Sequence, residues 1–541
     1  MGKRVGAMVR SPFFWLLAFF LLHSFLIDNE AVPSLEPLGV AAFVLAPLWT
    51  LALARTRGER LAALACCAAT WALLFLALRY GLRAFASAGA GACLTLWFAW
   101  ALWRRGELTC ERAAALVLIA AFALRFAYTL GTPSTLRQHD VDGHINYMRY
   151  IVENGGRPPF LDMDPRSHWQ FYHPPLHHLL SAAWIRIQML LGATFEQGVE
   201  AVQQLSLLYS GISLVLCYRL FRALRVRGGG LVLACAMVGF APILLFNAAA
   251  INNDPLLYVL EMALLYNAVR WWQEGCRVWR CALLGALMGL SMATKLSGAL
   301  MAVPLGLMFL AALCKRRAPL GALWKQYALF LLISVPLGCA VPVYNCVRWG
   351  VPLNYVQALK ETSNQYISGY TPLQRLFGLG AAQLRNIFLG LYGPDKDYNV
   401  FLSLFKTICF DEFTIVSSGS RLRWRIVIPL GVYVSCLGVT ALSVVSMVRA
   451  AVAYVRRRAL RMEWLLLGVA FAVLMLSYVK FCFDYPFVCT MQARYVLPCL
   501  PIAAACAGRG KPGKARAGFA TAMCAFSAMM FVMLCLVNDL G

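Results

Sequence analysis

The chain has 541 residues, of which 61% are hydrophobic and 13% charged, and its formal net charge is +25. A water-soluble domain cannot bury that much apolar surface, and apolar runs of about 20 residues, the length that crosses a bilayer, recur along the chain. The basic residues stand in short clusters between these runs, as in membrane proteins, so the charge does not indicate nucleic-acid binding. The cysteines lie mostly within the apolar runs and lack zinc spacing, so we predict no metal–thiolate site.

The apolar runs predict an all-α polytopic integral membrane protein with about 15 transmembrane helices. With the N-terminus placed in the cytoplasm, every strongly basic cluster falls on the cytoplasmic side, which indicates a multi-pass protein of the inner (plasma) membrane. The runs divide the chain into an N-terminal extension of four spans, a membrane core, a large extracytoplasmic loop and C-terminal transmembrane helices, at residues 1–111, 112–345, 346–423 and 424–541.

The first large outer loop, residues 131–200, contains Asp140, Asp142 and His144. Apolar residues recur at helical spacing over 141–153, which predicts an amphipathic helix on the membrane surface. One aspartate suffices to cap this helix, but a cap does not explain two carboxylates beside histidines. We therefore interpret one of them as a general base that takes a proton from an attacking hydroxyl group.

His173 lies later in the same loop, before two prolines and an apolar helix over residues 174–191. We place this helix on the outer membrane surface, because a membrane-crossing helix here would reverse the pattern of basic clusters. His177 and His178 begin the helix. Adjacent helical residues point to different faces, which argues against a metal held by this pair.

Three polar segments lie at the outer ends of later spans. Asp254, followed by proline, is typical of a helix start, and Asn253 adds a polar amide beside it. Lys295 and Arg494, the latter next to Tyr495, are candidates for binding a phosphate. A lysine at the end of a span can instead simply extend its ammonium group into water. The topology was built from basic clusters alone, yet it places these side chains on the same face as the first loop's aspartates.

The second large outer loop, residues 346–423, is too long to be a simple connection and carries several cations. Arg421 and Arg423 are among them. A shorter outer loop nearby has Cys482 and Cys489 at its two ends, and an oxidising exterior permits a disulfide bridge between them.

At these residues the chain resembles the C-type (GT-C) membrane glycosyltransferases. The segment HPPLHHLL is similar to the His-Pro-Pro-Leu element of protein O-mannosyltransferases, and DVDGHINYMRYI, NNDPLL and ATKLSG resemble elements of the lipid A aminoarabinose transferases. The resemblance covers about residues 112–345, and a weaker similarity is present at ARYVLP. Two features depart from the family: Val141 separates carboxylates that are usually adjacent, and four spans precede the first family-like span.

The resemblance implies an inverting transfer of a sugar, from a polyprenyl-phosphate donor in the lipid bilayer to a hydroxyl group of a glycan, lipid or protein acceptor on the extracytoplasmic face. It assigns the base to Asp140, with Asp142 as the alternative. It leaves the cofactor open, a divalent cation being one option. The candidate substrate-binding residues are His144, His173, Asn253, Asp254, Lys295, Arg494 and Tyr495.

Three other classes remain as alternatives. A transporter or flippase of lipid-linked saccharides would carry ionisable residues near the middle of its spans, often with internal repeats. An O-antigen ligase or polymerase would depend on the long second loop rather than on Asp140. A non-catalytic assembly protein would not need carboxylates and cations that converge on one face.

Overall fold

The computed structural model describes residues 11–26, 36–415, 424–457 and 461–539. The first basic cluster (residues 1–10) lies outside these ranges, as do Arg421 and Arg423 of the second loop. Within the described ranges the secondary structure is helical, apart from an isolated antiparallel bridge between Tyr366 and Phe487. The α-helices are α1 (Pro12–Leu26), α2 (Glu36–Leu53), α3 (Arg57–Tyr80), α4 (Arg83–Arg104), α5 (Cys110–Gly131), α6 (Val141–Glu153), α7 (Leu176–Leu190), α8 (Phe195–Ala223), α9 (Gly229–Phe240), α10 (Pro242–Phe246), α11 (Asp254–Gln273), α12 (Val278–Thr294), α13 (Ala302–Cys314), α14 (Leu320–Trp349), α15 (Pro372–Phe377), α16 (Ala381–Arg385), α17 (Val400–Phe410), α18 (Trp424–Arg457), α19 (Met462–Asp484), α20 (Cys499–Ala507) and α21 (Lys514–Asp539).

The helices confirm the predicted all-α polytopic membrane fold. Nine helical segments of the described chain are long and apolar enough to cross a membrane, or ten if α9 and the segment Pro242–Ala249, bent by 57° from it, form one broken span. The predicted count of about 15 spans is not confirmed. Some predicted spans form short helices, such as α1 with 15 residues and α12 with 17, and residues 491–507 form 3₁₀ turns followed by the nine-residue α20.

The first loop contains the two predicted surface helices, α6 and α7. α6 buries Tyr147, Met148 and Ile151 on one face and exposes the side chain of Asp142 on another. α7 has 15 residues, fewer than the roughly 20 that a transmembrane helix needs. Its exposed apolar side chains, Leu180, Ile187 and Leu190, suit a helix that lies along the membrane surface.

Two packing features hold the membrane helices that lead to the polar loops. Gly285 and Gly289 let α12 approach α14 closely, because an added Cβ would lie 2.9 Å from the Phe330 carbonyl oxygen and 2.6 Å from the Leu337 Cβ. Arg125 of α5 is buried, and its Nη1 donates 2.6 Å to the carbonyl oxygen of Gly239, where α9 ends. The free carbonyls of a helix C-terminus favour a cation, so this contact fixes the bend after α9.

Cys482 and Cys489 are both free cysteines, so the predicted disulfide bridge between them is wrong. Cys482 is fully buried in the last turns of α19, and its thiol donates to the carbonyl oxygen of Thr490 at 3.5 Å.

Candidate active site

Four side chains from distant parts of the sequence form one ion-pair cluster: Asp140, Asp254, Lys295 and Arg494. Lys295 Nζ donates to Asp254 Oδ1 at 2.6 Å. Arg494 lies between the two carboxylates, with Nη1 3.5 Å from Asp254 Oδ2 and Nη2 3.4 Å from Asp140 Oδ2. The convergence expected from the basic-cluster topology is therefore present in the structure.

Asp140 occupies the N-cap position of α6, yet its side chain does not cap the helix. The residue has a left-handed backbone (φ 51°), which aspartate tolerates better than most residues. Its Oδ1 accepts a hydrogen bond from Trp169 Nε1 at 3.1 Å, and 30% of the side chain is exposed. Burial disfavours the charged carboxylate, but the nearby charge of Arg494 outweighs this and lowers its pKa. Asp140 is thus an ionised carboxylate with access to solvent.

Asp254 does not cap α11 as its sequence context suggested. The cap position belongs to Asn253, and Asn252 Oδ1 instead accepts from the backbone N–H of Asp254 at 3.0 Å. The Asp254 side chain, 2% exposed, turns to Lys295 and leaves its Oδ2 without a hydrogen bond. A buried carboxylate in this position serves as the fixed counter-ion of the two cations.

Arg494 and Lys295 differ in how fully their donors are used. Arg494 Nε donates to Gln492 Oε1 at 2.6 Å, and its Nη2 donates to Tyr495 Oη at 3.0 Å. Lys295 Nζ makes one such bond, to Asp254, and lies 5.1 Å from the centre of the Tyr495 ring. An ammonium group has three N–H donors, so Lys295 retains more capacity for a new anionic ligand.

A second layer of charged side chains, which the sequence analysis missed, supports this cluster. His139 Nε2 lies 2.9 Å from Asp411 Oδ2, and its Nδ1 lies 2.9 Å from Glu412 Oε1. Gln492 Nε2 donates to Glu412 and so connects this pair to Arg494. Burial disfavours the charged imidazole of His139, but the two carboxylates outweigh it and raise its pKa to about 10. The two adjacent acids after α17 are the signal that the sequence offers for this pair.

The histidine cluster, formed by His144, His173, His177 and His178, lies beside the ion pairs. A hydrogen bond of 2.9 Å joins His144 Nδ1 to His178 Nε2, and the rings of His144 and His173 are parallel with centres 6.0 Å apart. His177 Nε2 donates to the carbonyl oxygen of Ile251 at 2.6 Å. Burial lowers the pKa of His144 to about 3, so its imidazole is neutral. Across the described part of the chain, no group of three or more His, Cys, Asp or Glu could hold a metal ion.

Two predicted site residues lie outside these contacts. Asp142 is exposed on α6, and no ion pair or hydrogen bond joins its side chain to another residue that the structure describes. Asn253 is buried, and its Nδ2 donates to the carbonyl oxygen of Thr294 at 3.3 Å, which ties α11 to the end of α12. The geometry therefore gives Asn253 a structural contact and leaves Asp142 in solvent.

A small cavity, of about 10 Å³, opens where the first loop meets the end of α14. Its wall includes Leu296, which follows Lys295, and Tyr172, which precedes His173. Asn345 also lines it, with a buried side-chain oxygen that has no hydrogen-bond partner. The cavity thus combines apolar surface with an amide and aromatic rings directly beside the ion-pair cluster.

Comparisons with known proteins bear on this arrangement. Residues 173–339 match the family model of the dolichyl-phosphate-mannose-protein mannosyltransferases. Among solved structures, the chain is similar to ArnT from Cupriavidus metallidurans bound to undecaprenyl phosphate, with 17% identity, a TM-score of 0.35, and coverage of 79% of this chain and 77% of that one. No curated protein matches the chain. The family match confirms the resemblance to C-type membrane glycosyltransferases and supports a membrane glycosyltransferase. It includes His173, Asp254 and Lys295 but neither Asp140 nor Arg494.

Proposed function

We propose that the chain is a membrane glycosyltransferase that moves a sugar from a polyprenyl-phosphate donor to a hydroxyl group of a glycan, lipid or protein acceptor, with inversion at the anomeric carbon. One observation carries the proposal. A partly exposed, ionised carboxylate, Asp140, shares an ion-pair cluster with two cations, Lys295 and Arg494. These are the charges that such a transfer needs, a base for the acceptor and cations for the leaving phosphate.

Asp140 is the proposed general base. It accepts the proton of the acceptor hydroxyl while the acceptor oxygen bonds to the anomeric carbon. The bond from that carbon to the donor's phosphate oxygen breaks, and its electron pair leaves with the polyprenyl phosphate. Trp169 and Arg494 orient the carboxylate before the reaction. A donor phosphate that draws Arg494 away from Asp140 would also raise the pKa of that carboxylate and strengthen it as a base.

The other two carboxylates suit this role less well. Asp254 is almost fully buried and already bonded to Lys295. Asp142 reaches solvent but lacks any described contact that would orient it, and general bases must be held within hydrogen-bond reach of the proton that they take. Asp140 alone of the three is both oriented and partly exposed.

Lys295 is the proposed main ligand of the donor's phosphate. Its side chain is 14% exposed, and its ammonium group retains donors that Asp254 does not use. Arg494 contributes charge, but its donors are committed to Gln492, Tyr495 and the carboxylates, so we assign it chiefly to positioning Asp140.

We place this reaction on the extracytoplasmic face of the inner membrane, because the basic clusters of the sequence fall on the opposite side. Reporter fusions test the placement. A fusion at Gly155, in the first loop, should report the exterior, and a fusion at Arg317, between α13 and α14, should report the cytoplasm. Reporters on one common side would overturn it.

Reconstitution in liposomes tests the reaction itself. Polyprenyl-phosphate hexoses and pentoses, radiolabelled in the sugar, are supplied with candidate acceptors, and transferred sugar and released polyprenyl phosphate are measured together. We expect both products in a ratio of about one. Movement of intact donor across the bilayer without cleavage would instead identify a transporter, and use of only diphosphate-linked glycans would identify a ligase or polymerase.

A further inference from the structure

The second loop exposes apolar side chains where a loop in water would expose polar ones. We define the loop patch as Leu373 and Phe377 of α15, Leu379 of the following turn and Leu384 of α16. Their exposed fractions are 70%, 72%, 60% and 49%. Four large apolar side chains so exposed within 12 residues mark a surface that another phase or molecule covers.

Each of the same two helices has one polar side chain that points inward. Arg375 is 5% exposed, its Nη2 donates to the carbonyl oxygen of Cys482 at 2.8 Å, and its guanidinium lies 4.7 Å from the centre of the Phe483 ring. Gln383 is buried too, and its Nε2 donates at 3.2 Å to the carbonyl oxygens of Asp395 and Lys396. α15 and α16 thus each bury a polar side chain and expose large apolar ones, although Gln374 and Arg385 are also exposed.

The anchor of Arg375 gives the depth of the patch relative to the membrane. α19 exposes Leu476 to lipid one turn before Lys480, which forms an exposed ion pair with Asp484. The boundary between hydrocarbon and headgroups therefore passes through the last turns of this span. Arg375 binds Cys482, between the two charged residues, so α15 lies at the level of that boundary.

We propose that the loop patch inserts into the leaflet that borders the candidate active site, so that α15 and α16 form a membrane-bound segment of the second loop. The bilayer is favoured as the occupant because Arg375 holds α15 against the turns of α19 that follow its exposed apolar Leu476. The N-terminus of α15 also satisfies its own backbone donors, since Thr371 and Gln374 form a reciprocal capping box. The exposed Arg385 that ends α16 suits the phosphates of the headgroups.

Insertion would connect the membrane to the ion-pair cluster. α17 follows the patch and leads directly to Asp411 and Glu412, the carboxylates that hold His139. The second loop then contacts lipid at α15 and α16 and holds His139 after α17. This inference rests on the membrane fold and does not require the proposed sugar transfer.

Photocrosslinking in native membranes tests the proposal. The photoreactive residue p-benzoylphenylalanine replaces Phe377 in one variant and Glu361, an exposed polar position of the same loop, in the matched control. After irradiation the purified chains are analysed by mass spectrometry. We expect the variant at Phe377 to form an adduct whose mass exceeds that of the chain by one phospholipid. The yield of this adduct should be at least tenfold lower in the control.

Every other outcome overturns the insertion. An adduct of Phe377 with protein alone would show a protein partner on the patch, and the absence of any adduct would show water. Equal phospholipid adducts at both positions would mean that the loop meets lipid without selectivity. Circular dichroism and gel filtration of both variants confirm the fold, which a substitution at an exposed position should preserve.

Discussion

The ion-pair cluster and the histidine cluster are neighbours, yet they treat their ionisable groups in opposite ways. Arg494 lies between two carboxylates, and Asp140 keeps its charge because the cation offsets the cost of burial. His144 has a neutral imidazole as its hydrogen-bond partner, and burial lowers its pKa to about 3. The comparison teaches that the partner, rather than depth alone, decides which buried groups are charged. We therefore expect chemistry from the first cluster and structural support from the second.

The largest expected effect is that of Asp140→Asn. The amide keeps the shape of the side chain but cannot take a proton, so turnover should fall by roughly a hundredfold to ten-thousandfold. Purified enzyme in liposomes, assayed at saturating donor, measures this loss, and a donor-binding assay serves as the folding control. An Asn variant with nearly normal turnover would remove Asp140 from the role of base.

Removal of Lys295 should act on the donor instead. Lys295→Ala deletes a charged hydrogen bond to the phosphate, which we expect to weaken the use of the donor, measured as kcat/KM, by roughly tenfold to a hundredfold. Lys360→Ala, which removes an exposed cation of the second loop, is the matched control for the change in net charge. Equal donor kinetics in the two variants would place the phosphate elsewhere.

His139 should make the stability of the protein depend on pH. Its pKa is about 10 in the folded chain, against an ordinary value of 6.5. The stabilisation from its charged form is therefore complete below about pH 6.5 and is lost as the pH rises towards 10. His139→Gln should lower the free energy of unfolding at pH 6.5 by about 3 to 5 kcal/mol.

His139→Gln should also make the stability of the protein less dependent on pH. Thermal unfolding in detergent is measured at several values from pH 6 to 10 for the wild type and for His139→Gln. The two curves should approach each other as the pH rises. A constant difference across this range would contradict a charged His139 between Asp411 and Glu412.

Substitutions in the histidine cluster should reduce turnover less than substitutions in the ion-pair cluster do. His178→Ala removes the partner of His144 Nδ1 and leaves a buried polar atom without a hydrogen bond, which costs about 1 to 3 kcal/mol of stability. Turnover of the folded variant should stay within about threefold of the wild type. A loss of turnover without a loss of thermal stability would move the cluster into the chemistry.

The sequence predicts where the site residues lie along the chain but not how their side chains pair. Asp140, Asp254, Lys295 and Arg494 stand at the ends of apolar runs, and basic clusters place those ends on one face. The membrane fold and the meeting of these four side chains were therefore predictable. Their pairing was not, because the directions of side chains at helix ends depend on packing. Asp254 illustrates this, since it is the first residue of α11 rather than its N-cap, and its carboxylate pairs with Lys295.

The residues that the sequence analysis missed share a different reason. Asp411 and Glu412 lie at the end of a loop that the sequence marks only as long and basic, and nothing local shows that they reach back to His139. The span count is not confirmed for a similar reason. Helices packed inside a large membrane protein can be short, bent or polar, as α11 is with Glu261 buried in it, so apolar length no longer identifies them.

The smallest expected effect belongs to Asp142, two residues from the proposed base. Its side chain is exposed on α6, and no ion pair or hydrogen bond joins it to another residue that the structure describes. Asp142→Asn keeps the size of the side chain and a polar group in the first turn of the helix, where a carboxylate contributes only about 0.3 to 1 kcal/mol. Turnover should therefore stay within about twofold of the wild type. Assayed beside Asp140→Asn in the same liposomes, this variant separates a carboxylate oriented by Trp169 and Arg494 from one that faces solvent. If Asp142→Asn were folded but inactive while Asp140→Asn kept its turnover, the base would be Asp142, and the contacts that orient Asp140 would serve only to hold the first loop in place.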